Sequence, residues 1–254
     1  MPIRATLLAT ALLASTLPAL AQTAPNTLSK QESAQGWHLL FDGKTTTGWR
    51  STHSPAFPST GWDVKDGLLN VTEHGGEEGG NAGDIITTRK YANFELTVDF
   101  RMTPGANSGI KYFVDLDLTP GHEGHGSAIG FEYQILDDAL HPDAKKGRGG
   151  DRTLASLYDL IPAADNKPTK PIGEWNTARI IIRGAHGEHW LNGFKVLEYE
   201  RFTPKFRQLV ADSKYHVFPK FGEAHDGYIL LQDHGFPVSF RNIKIRELPP
   251  TPAN

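Results

Sequence analysis

Apolar and polar residues alternate in short runs along most of this chain. Phe94, Leu96, Val98 and Phe100 are interleaved with Glu95, Thr97, Asp99 and Arg101, the period-two pattern of a strand with one buried face. Phe131, Tyr133 and Ile135 alternate in the same way with Glu132 and Gln134, in a segment that runs on into an acidic turn containing His141. Residues 108–115, 175–183, 189–191, 194–200, 228–232 and 238–248 continue the pattern. Asp66-Gly67, between WDVK and LLNV, and Asn192-Gly193 are two-residue hairpin signals, because both positions of such a turn favour positive φ. One segment departs from this period. TPKFRQLVADSK, with Pro204 early and Phe206, Leu209 and Val210 spaced on one face, predicts a single short helix. Regularly spaced short strands without an internal repeat predict an all-β, antiparallel sandwich or jelly roll in one domain.

The ends read differently. Arg4, an apolar run over 5–20 and Ala19-Leu20-Ala21 form a signal peptide over residues 1–21, with cleavage expected before Gln22. No cysteine follows to carry a lipid, and no later run is apolar enough to span a bilayer. The expected location is therefore periplasmic or secreted. Residues 22–35 are polar and aperiodic and read as a flexible leader, residues 36–248 as the sandwich domain, and residues 249–254 as a Pro-rich tail. With no cysteine in the chain, the core must supply the stability without disulfides. Once Arg4 is removed with the signal, 25 of the 26 basic residues face 29 acidic ones. That weak, unclustered charge argues against nucleic acid as a partner. Gly at 26, Pro at 17 and five Trp suit a turn-rich β protein that handles a small-molecule sugar; the oligomeric state is left open.

Candidate chemistry lies on the polar faces of the strands. Glu132 and Gln134 point the same way, roughly 7 Å apart, and Gln232 and His234 share a parity opposite to Ile229 and Leu231. Two strands with such pairs are expected to line one concave face. Asn107 and Trp175 add groups at strand ends, where loops meet a sheet. Each also has a plainer reading: Glu132 and Gln134 as solvent-facing, Asn107 as a turn former, Trp175 as core. The chain has 11 histidines, and His122, His125, His141, His216, His225 and His234 fall in loops or at strand ends. Their spacing fixes no metal site, although carboxylate, amide and imidazole donors admit a divalent cation as cofactor. No phosphate loop, dinucleotide fingerprint or nucleophile elbow is present, which argues against nucleotide enzymes and serine hydrolases.

Eight motifs in order, LFDGKTTTGW, WDVKDGLL, NFELTVDFRMTPGANSGI, EYQILDD, GEWN, LNG, ILLQDHG and FRNIKIREL, resemble the bacterial 3-keto-disaccharide hydrolase domain family. That family is also described as a 3-keto-glucoside 1,2-lyase and 3-keto-2-hydroxy-glucal hydratase domain. The resemblance covers residues 36–248 and implies a concanavalin-like β-sandwich similar to the family-16 glycoside hydrolases. EYQILD falls where those hydrolases carry an E-x-D-x-x-E strand, with Glu132 matching the first acid and Gln134 replacing the middle one. A neutral amide does not tune neighbouring pKa values as a carboxylate does. Strict alternation puts Asp137 on the face opposite Glu132 and Asp138 on the same face, which makes Asp138 a candidate for substrate binding.

The resemblance thus implies a reaction other than two-carboxylate hydrolysis. A ketone at C3 acidifies the C2 proton, so a base can form an enediolate and the C1 oxygen can leave by β-elimination. Glu132 or His141 is the expected base, with Lys111, His234 or a bound cation on the enolate oxygen. Gln134, Gln232, Asn107, Lys111, Asp138 and Trp175 are the expected sugar contacts. Two alternatives remain: a carbohydrate-binding sandwich without catalysis, and a conventional glycosidase.

Overall fold

The computed structural model describes residues 24–75, 83–118 and 128–249. The expected signal peptide, His122, His125 and most of the tail lie outside them. Chain order is α1 (Lys30–Ala34), β1 (His38–Leu39), β2 (Trp49–Ser51), β3 (Trp62–Lys65), β4 (Leu68–Val71), β5 (Ile85–Thr87), β6 (Phe94–Met102), β7 (Asn107–Val114) and β8 (Phe131–Leu136). There follow β9 (Asn176–Arg183), β10 (His186–Leu191), β11 (Phe194–Glu200), α2 (Pro204–Ala211), β12 (Tyr228–Leu231) and β13 (Val238–Glu247). All the paired strands are antiparallel and form two sheets. The larger has the order β11-β10-β9-β6-β13-β4-β3, with β1 added to β13, and the smaller has the order β2-β5-β12-β7-β8. This is the expected jelly-roll sandwich.

The two sheets close over the residues that the alternation marked. Phe94, Leu96, Val98 and Phe100 face inward from β6, while Phe131, Tyr133 and Ile135 face them from β8, all essentially inaccessible. Tyr112 on β7 sits between them, its ring centroid 6.2 Å from that of Phe94 and 5.7 Å from that of Phe131. Both hairpins form where expected. Asp66 and Gly67 have φ of 53° and 75°, and Asn192 and Gly193 have 50° and 83°, the paired positive values of a type I′ turn.

Two expectations need correction. The described part of the leader is docked rather than flexible. Asn26 is buried, its N–H donates to Asn242 Oδ1 at 2.7 Å, and its Oδ1 accepts from the Asn242 N–H at 2.8 Å. Asn242 sits at a register shift in β13 with φ of 51°, so the reciprocal amide pair satisfies backbone that the ladder leaves unpaired. The leader also contains α1, capped reciprocally by Ser29 and Glu32, so α2 is not the only helix. A polar, aperiodic segment gives no signal for such docking, because its partner lies 216 residues away.

A buried polar chain joins the sheets. His189 on β10 has no accessible surface, and its Nδ1 donates to Ala155 O at 3.1 Å. Its Nε2 therefore accepts, from the Tyr112 hydroxyl at 2.7 Å, and Tyr199 in turn donates to Tyr112 at 2.7 Å. Burial pushes the His189 imidazole down to about 3. An unfolded histidine titrates near about 6.5, so the unfolded chain takes up this proton first and stability falls as pH drops from there toward 3. In urea titrations across this window, His189→Gln is expected to show a shallower acid limb than the wild type. The difference should approach about 1.4 kcal/mol per pH unit, the value for one proton. Parallel acid limbs would show that His189 does not titrate on unfolding.

Candidate active site

The smaller sheet is buried on both faces. All positions of β7 and β8 are inaccessible or nearly so, although only one face meets the core. On the other face Lys111 and Glu132 are directly opposed, as are Gly109 and Gln134. Lys111 Nζ lies 4.0 Å from Glu132 Oε2 and donates to Ala128 O at 3.3 Å. The Gln134 amide nitrogen, turned toward Glu132, donates to Glu132 Oε1 at 3.1 Å and to Ser108 O at 3.0 Å. Asn107 Oδ1 stands 3.4 Å from the other end of that amide.

Gly109 makes room for this arrangement. A Cβ built there would lie 2.3 Å from Glu132 Oε1 and 3.0 Å from its Cδ, so the carboxylate lies across β7 in space that only glycine leaves. Beside it, the Gln232 N–H donates to Gly109 O at 2.9 Å and Ser108 Oγ donates to Gln232 O at 2.7 Å. The next residue, Asp233, pairs with His74 Nε2 at 2.7 Å and accepts from the Gly235 N–H at 3.0 Å. This pins the turn that carries His234.

The free edge of β8 is covered by the segment that follows the acidic turn. Ala155 N–H donates to Gln134 O at 2.8 Å, Gln134 N–H to Ser156 O at 3.2 Å and Tyr158 N–H to Glu132 O at 3.0 Å. Tyr158 thereby stands over the pocket, and its hydroxyl donates to Asp143 Oδ2 at 2.7 Å. Arg152 donates to the other Asp143 oxygen at 3.2 Å and to Asp159 Oδ1 at 2.7 Å. Burial works to raise the Asp143 carboxyl, but the Tyr158 hydrogen bond and the Arg152 charge outweigh it and hold its pKa below the ordinary value. The Tyr158 phenol is pushed well up, first by burial and then by its bond to Asp143. Asp159 Oδ2 also accepts from the Lys214 N–H at 2.7 Å, and Lys214 Nζ sits 4.2 Å from the Tyr158 ring centroid.

His141 opens a short 3-10 turn over 142–145. Its Nδ1 accepts from the Asp143 N–H at 3.2 Å. Burial, followed by the nearby His234, lowers its pKa. The neutral ring therefore carries its proton on Nε2 and is a hydrogen-bond donor. The His141 and His234 ring centroids are 6.2 Å apart, edge to face.

These groups converge on a cavity of about 230 Å³. Of the expected residues, Glu132, His141, His234, Gln134, Gln232, Asn107 and Lys111 line it. Asp138 and Trp175 do not. The Asp138 carboxylate turns away to accept from the Leu154 N–H at 2.7 Å and to pair with Lys167 at 2.9 Å. Trp175 lies on the outer face of the larger sheet, with the Arg101 and Arg241 guanidinium carbons 4.8 and 4.0 Å from its ring centroid. Asp143, Lys146, Tyr158 and Lys214 also line the cavity and were not anticipated. Their segments have no period that would tie them to a sheet face. The one local signal is His141-Pro142-Asp143, a histidine cap ahead of a proline that opens a helical turn.

A larger depression of about 420 Å³ lies between β11 and α2. Among the described residues, the group of three histidine or carboxylate donors close enough to share a metal is His186, Glu188 and Glu198, beside that depression. There His186 Nδ1 pairs with Glu200 at 2.6 Å, and Lys195 bonds Glu198 and lies 3.8 Å from Glu188. The donors are thus already neutralised by one another and by a lysine. Among the described residues of the smaller cavity no three such donors lie that close to one another.

The molecule is thus a jelly-roll sandwich with a buried polar pocket on its smaller sheet. The chain belongs to the family of the 3-keto-alpha-glucoside-1,2-lyase-like domain, whose model matches residues 36–246. A 3-keto-disaccharide hydrolase of Bacteroides thetaiotaomicron is 38% identical over 232 residues, 85% of this chain and 79% of its own length. Two crystal structures of candidate glycosyl hydrolases from Parabacteroides distasonis share the fold. One has a TM-score of 0.76 at 30% identity, covering 89% of this chain and 100% of its own. The other has 0.61 at 29%, covering 84% and 99%.

The fit of Glu132 against Gly109 can be tested without a substrate. Gly109→Ala should cost about 1–3 kcal/mol in urea denaturation, as overpacking does. The penalty should shrink in a Glu132→Ala background, where the clash is gone. Equal penalties in both backgrounds would place the strain elsewhere.

Proposed function

We propose that the pocket binds a 3-keto-glycoside and cleaves its glycosidic bond by C2 proton abstraction and β-elimination, with water adding to the product for net hydrolysis. The family membership and the name carried by the Bacteroides relative support this substrate class. The observation that carries the mechanism is the state of Asp143. Besides a general acid with a raised pKa, a two-carboxylate glycosidase needs a second carboxylate free to attack the sugar or activate a water. Asp143, the second carboxylate lining the cavity among the described residues, has one oxygen bound by the Tyr158 hydroxyl and the other by Arg152, and its lowered pKa unsuits it as the acid.

Glu132 is assigned as the base. His141 is the less suitable of the two expected bases, because its Nδ1 lone pair is taken by the Asp143 N–H. Glu132 takes the C2 proton, and the C–H electron pair moves onto the C3 carbonyl oxygen as an enediolate. The Lys111 ammonium and the His141 Nε2–H are the donors for that oxygen. The pair then returns, C1=C2 forms, and the C1 oxygen leaves and takes up a proton. Addition of water places a hydroxyl on C1 and a proton on C2. Gln134, Gln232, Asn107 and His234 are assigned to the sugar hydroxyls.

The test is incubation with a 3-keto-glucoside and its unoxidised parent, with leaving-group release and deuterium exchange at C2 followed in D2O. Glu132→Gln should lose a factor of about 10² or more in turnover, as expected for a positioned proton-transfer group; the fold should be retained by circular dichroism, with a lowered denaturation midpoint because buried Lys111 loses its charge partner. Full activity in that variant would move the base elsewhere. Binding of sugar without cleavage would leave a carbohydrate-binding module.

We also propose that the chain is exported. Its amino terminus has a positive residue, an apolar run and the small-x-small triplet Ala19-Leu20-Ala21. Mass spectrometry of the protein recovered outside the cytoplasm should find Gln22, or its cyclised form, at the amino terminus. Recovery of the uncleaved chain there would contradict this.

A further inference from the structure

The cavity of about 230 Å³ falls below the roughly 300–1,000 Å³ of ordinary small-ligand sites. It does not stand alone. A second cavity of about 320 Å³ shares two of its walls, Lys111 and Lys214. Beyond those lysines the character of the lining changes. Ile129 forms one side, and Val217 and Phe218, at the end of the 3-10 turn over 214–217, form the other. Val217 is 61% exposed, an unusual placement for a branched apolar side chain. The shelf beneath it is rigid, because Tyr215 is buried and stacks on Phe221 at 4.1 Å and 6°.

We propose that this second cavity is the subsite for the leaving group, and that it takes a ring with a flat, largely apolar face. The assignment rests on the reading of the first cavity as a 3-keto-glycoside site. A sugar ring whose C2 faces Glu132 has its C1 oxygen next along the substrate. The two cavities share Lys111 and Lys214 in their walls, so a substrate that extends from the first into the second places its scissile oxygen near these lysines and its departing ring on Val217 and Phe218. An alkoxide that develops on that oxygen then meets positive charge at the boundary between the two cavities. Apolar ring faces occur both in aryl aglycones and in a second hexose, and the two sources are separable by experiment.

Three substrates decide it: the methyl and phenyl 3-keto-glucosides and a 3-keto-disaccharide, each assayed for kcat/KM. The exposed position of Val217 allows substitution without disturbing the core. Val217→Asp should lower the phenyl-to-methyl ratio of kcat/KM about tenfold, and Val217→Trp should raise it. If the disaccharide-to-methyl ratio moves with the phenyl ratio, the shelf reads the face of a second sugar. If only the phenyl ratio moves, it reads an aryl group. Ratios unchanged in both variants, with melting temperatures close to wild type, would overturn the subsite. A wild-type protein that leaves all three substrates intact would overturn the reading of the first cavity, and this subsite with it.

Discussion

The backbone edge of β8 is closed by an irregular segment, 155–158, and the pocket depends on that closure. An unpaired buried N–H or C=O costs about 1–3 kcal/mol, and this segment pairs with the main chain of Glu132 and Gln134, the residues whose side chains face the cavity. Closing the edge therefore also carries Tyr158 over the carboxylate. The segment is not relaxed. Ala155 has φ of 65° and Asp159 has φ of 60°, conformations that non-glycine residues hold only when their surroundings require it. Here the requirement is visible: Ala155 O accepts from buried His189, and the Asp159 carboxylate is bound by Arg152 and by the Lys214 N–H.

The same short strand thus builds two different environments. Phe131, Tyr133 and Ile135 fill the interior, and Glu132 and Gln134 sit just as deeply on the other side. Burying Glu132 and Lys111 gains little stability, since desolvating two charges consumes most of what their attraction returns. Their placement is explained by reactivity. Groups removed from water and held by the main chain of a sheet meet a substrate without first having to be organised.

What could be read in advance follows the range of the interactions involved. The inward faces of β6 and β8 and both hairpins are set by neighbours one or two residues apart, and they appear as expected. That Glu132 and Gln232 share a cavity was legible through parity, although parity does not say that β7 lies between their strands. Asp138 has the same parity as Glu132, but the chain leaves the strand after Leu136, so alternation no longer governs where it points. Trp175 is an aromatic beside a strand, and two arginines on the far sheet claim it. Asp143 and Tyr158 come from stretches that fold against the sheet through specific side-chain bonds, which leave no periodic trace, and Lys214 lies past Ala211, where the predicted helix has ended and its period no longer places a side chain. Asn26 and its distant amide partner are the extreme case.

The position of β13 has a consequence for the order in which the molecule can assemble. This strand follows every other described strand, yet it pairs with β1, β4 and β6 and lies in the interior of the larger sheet. A growing chain that has not reached Val238 holds β6 and β4 as two separate pieces, with two apolar ladders open to solvent. The sandwich cannot close progressively from β1 onward, because the strand at its central seam is made after all the other described strands. Such a topology delays closure of the larger sheet until Val238–Glu247 is present and makes a slow, non-local search the step that joins its two halves.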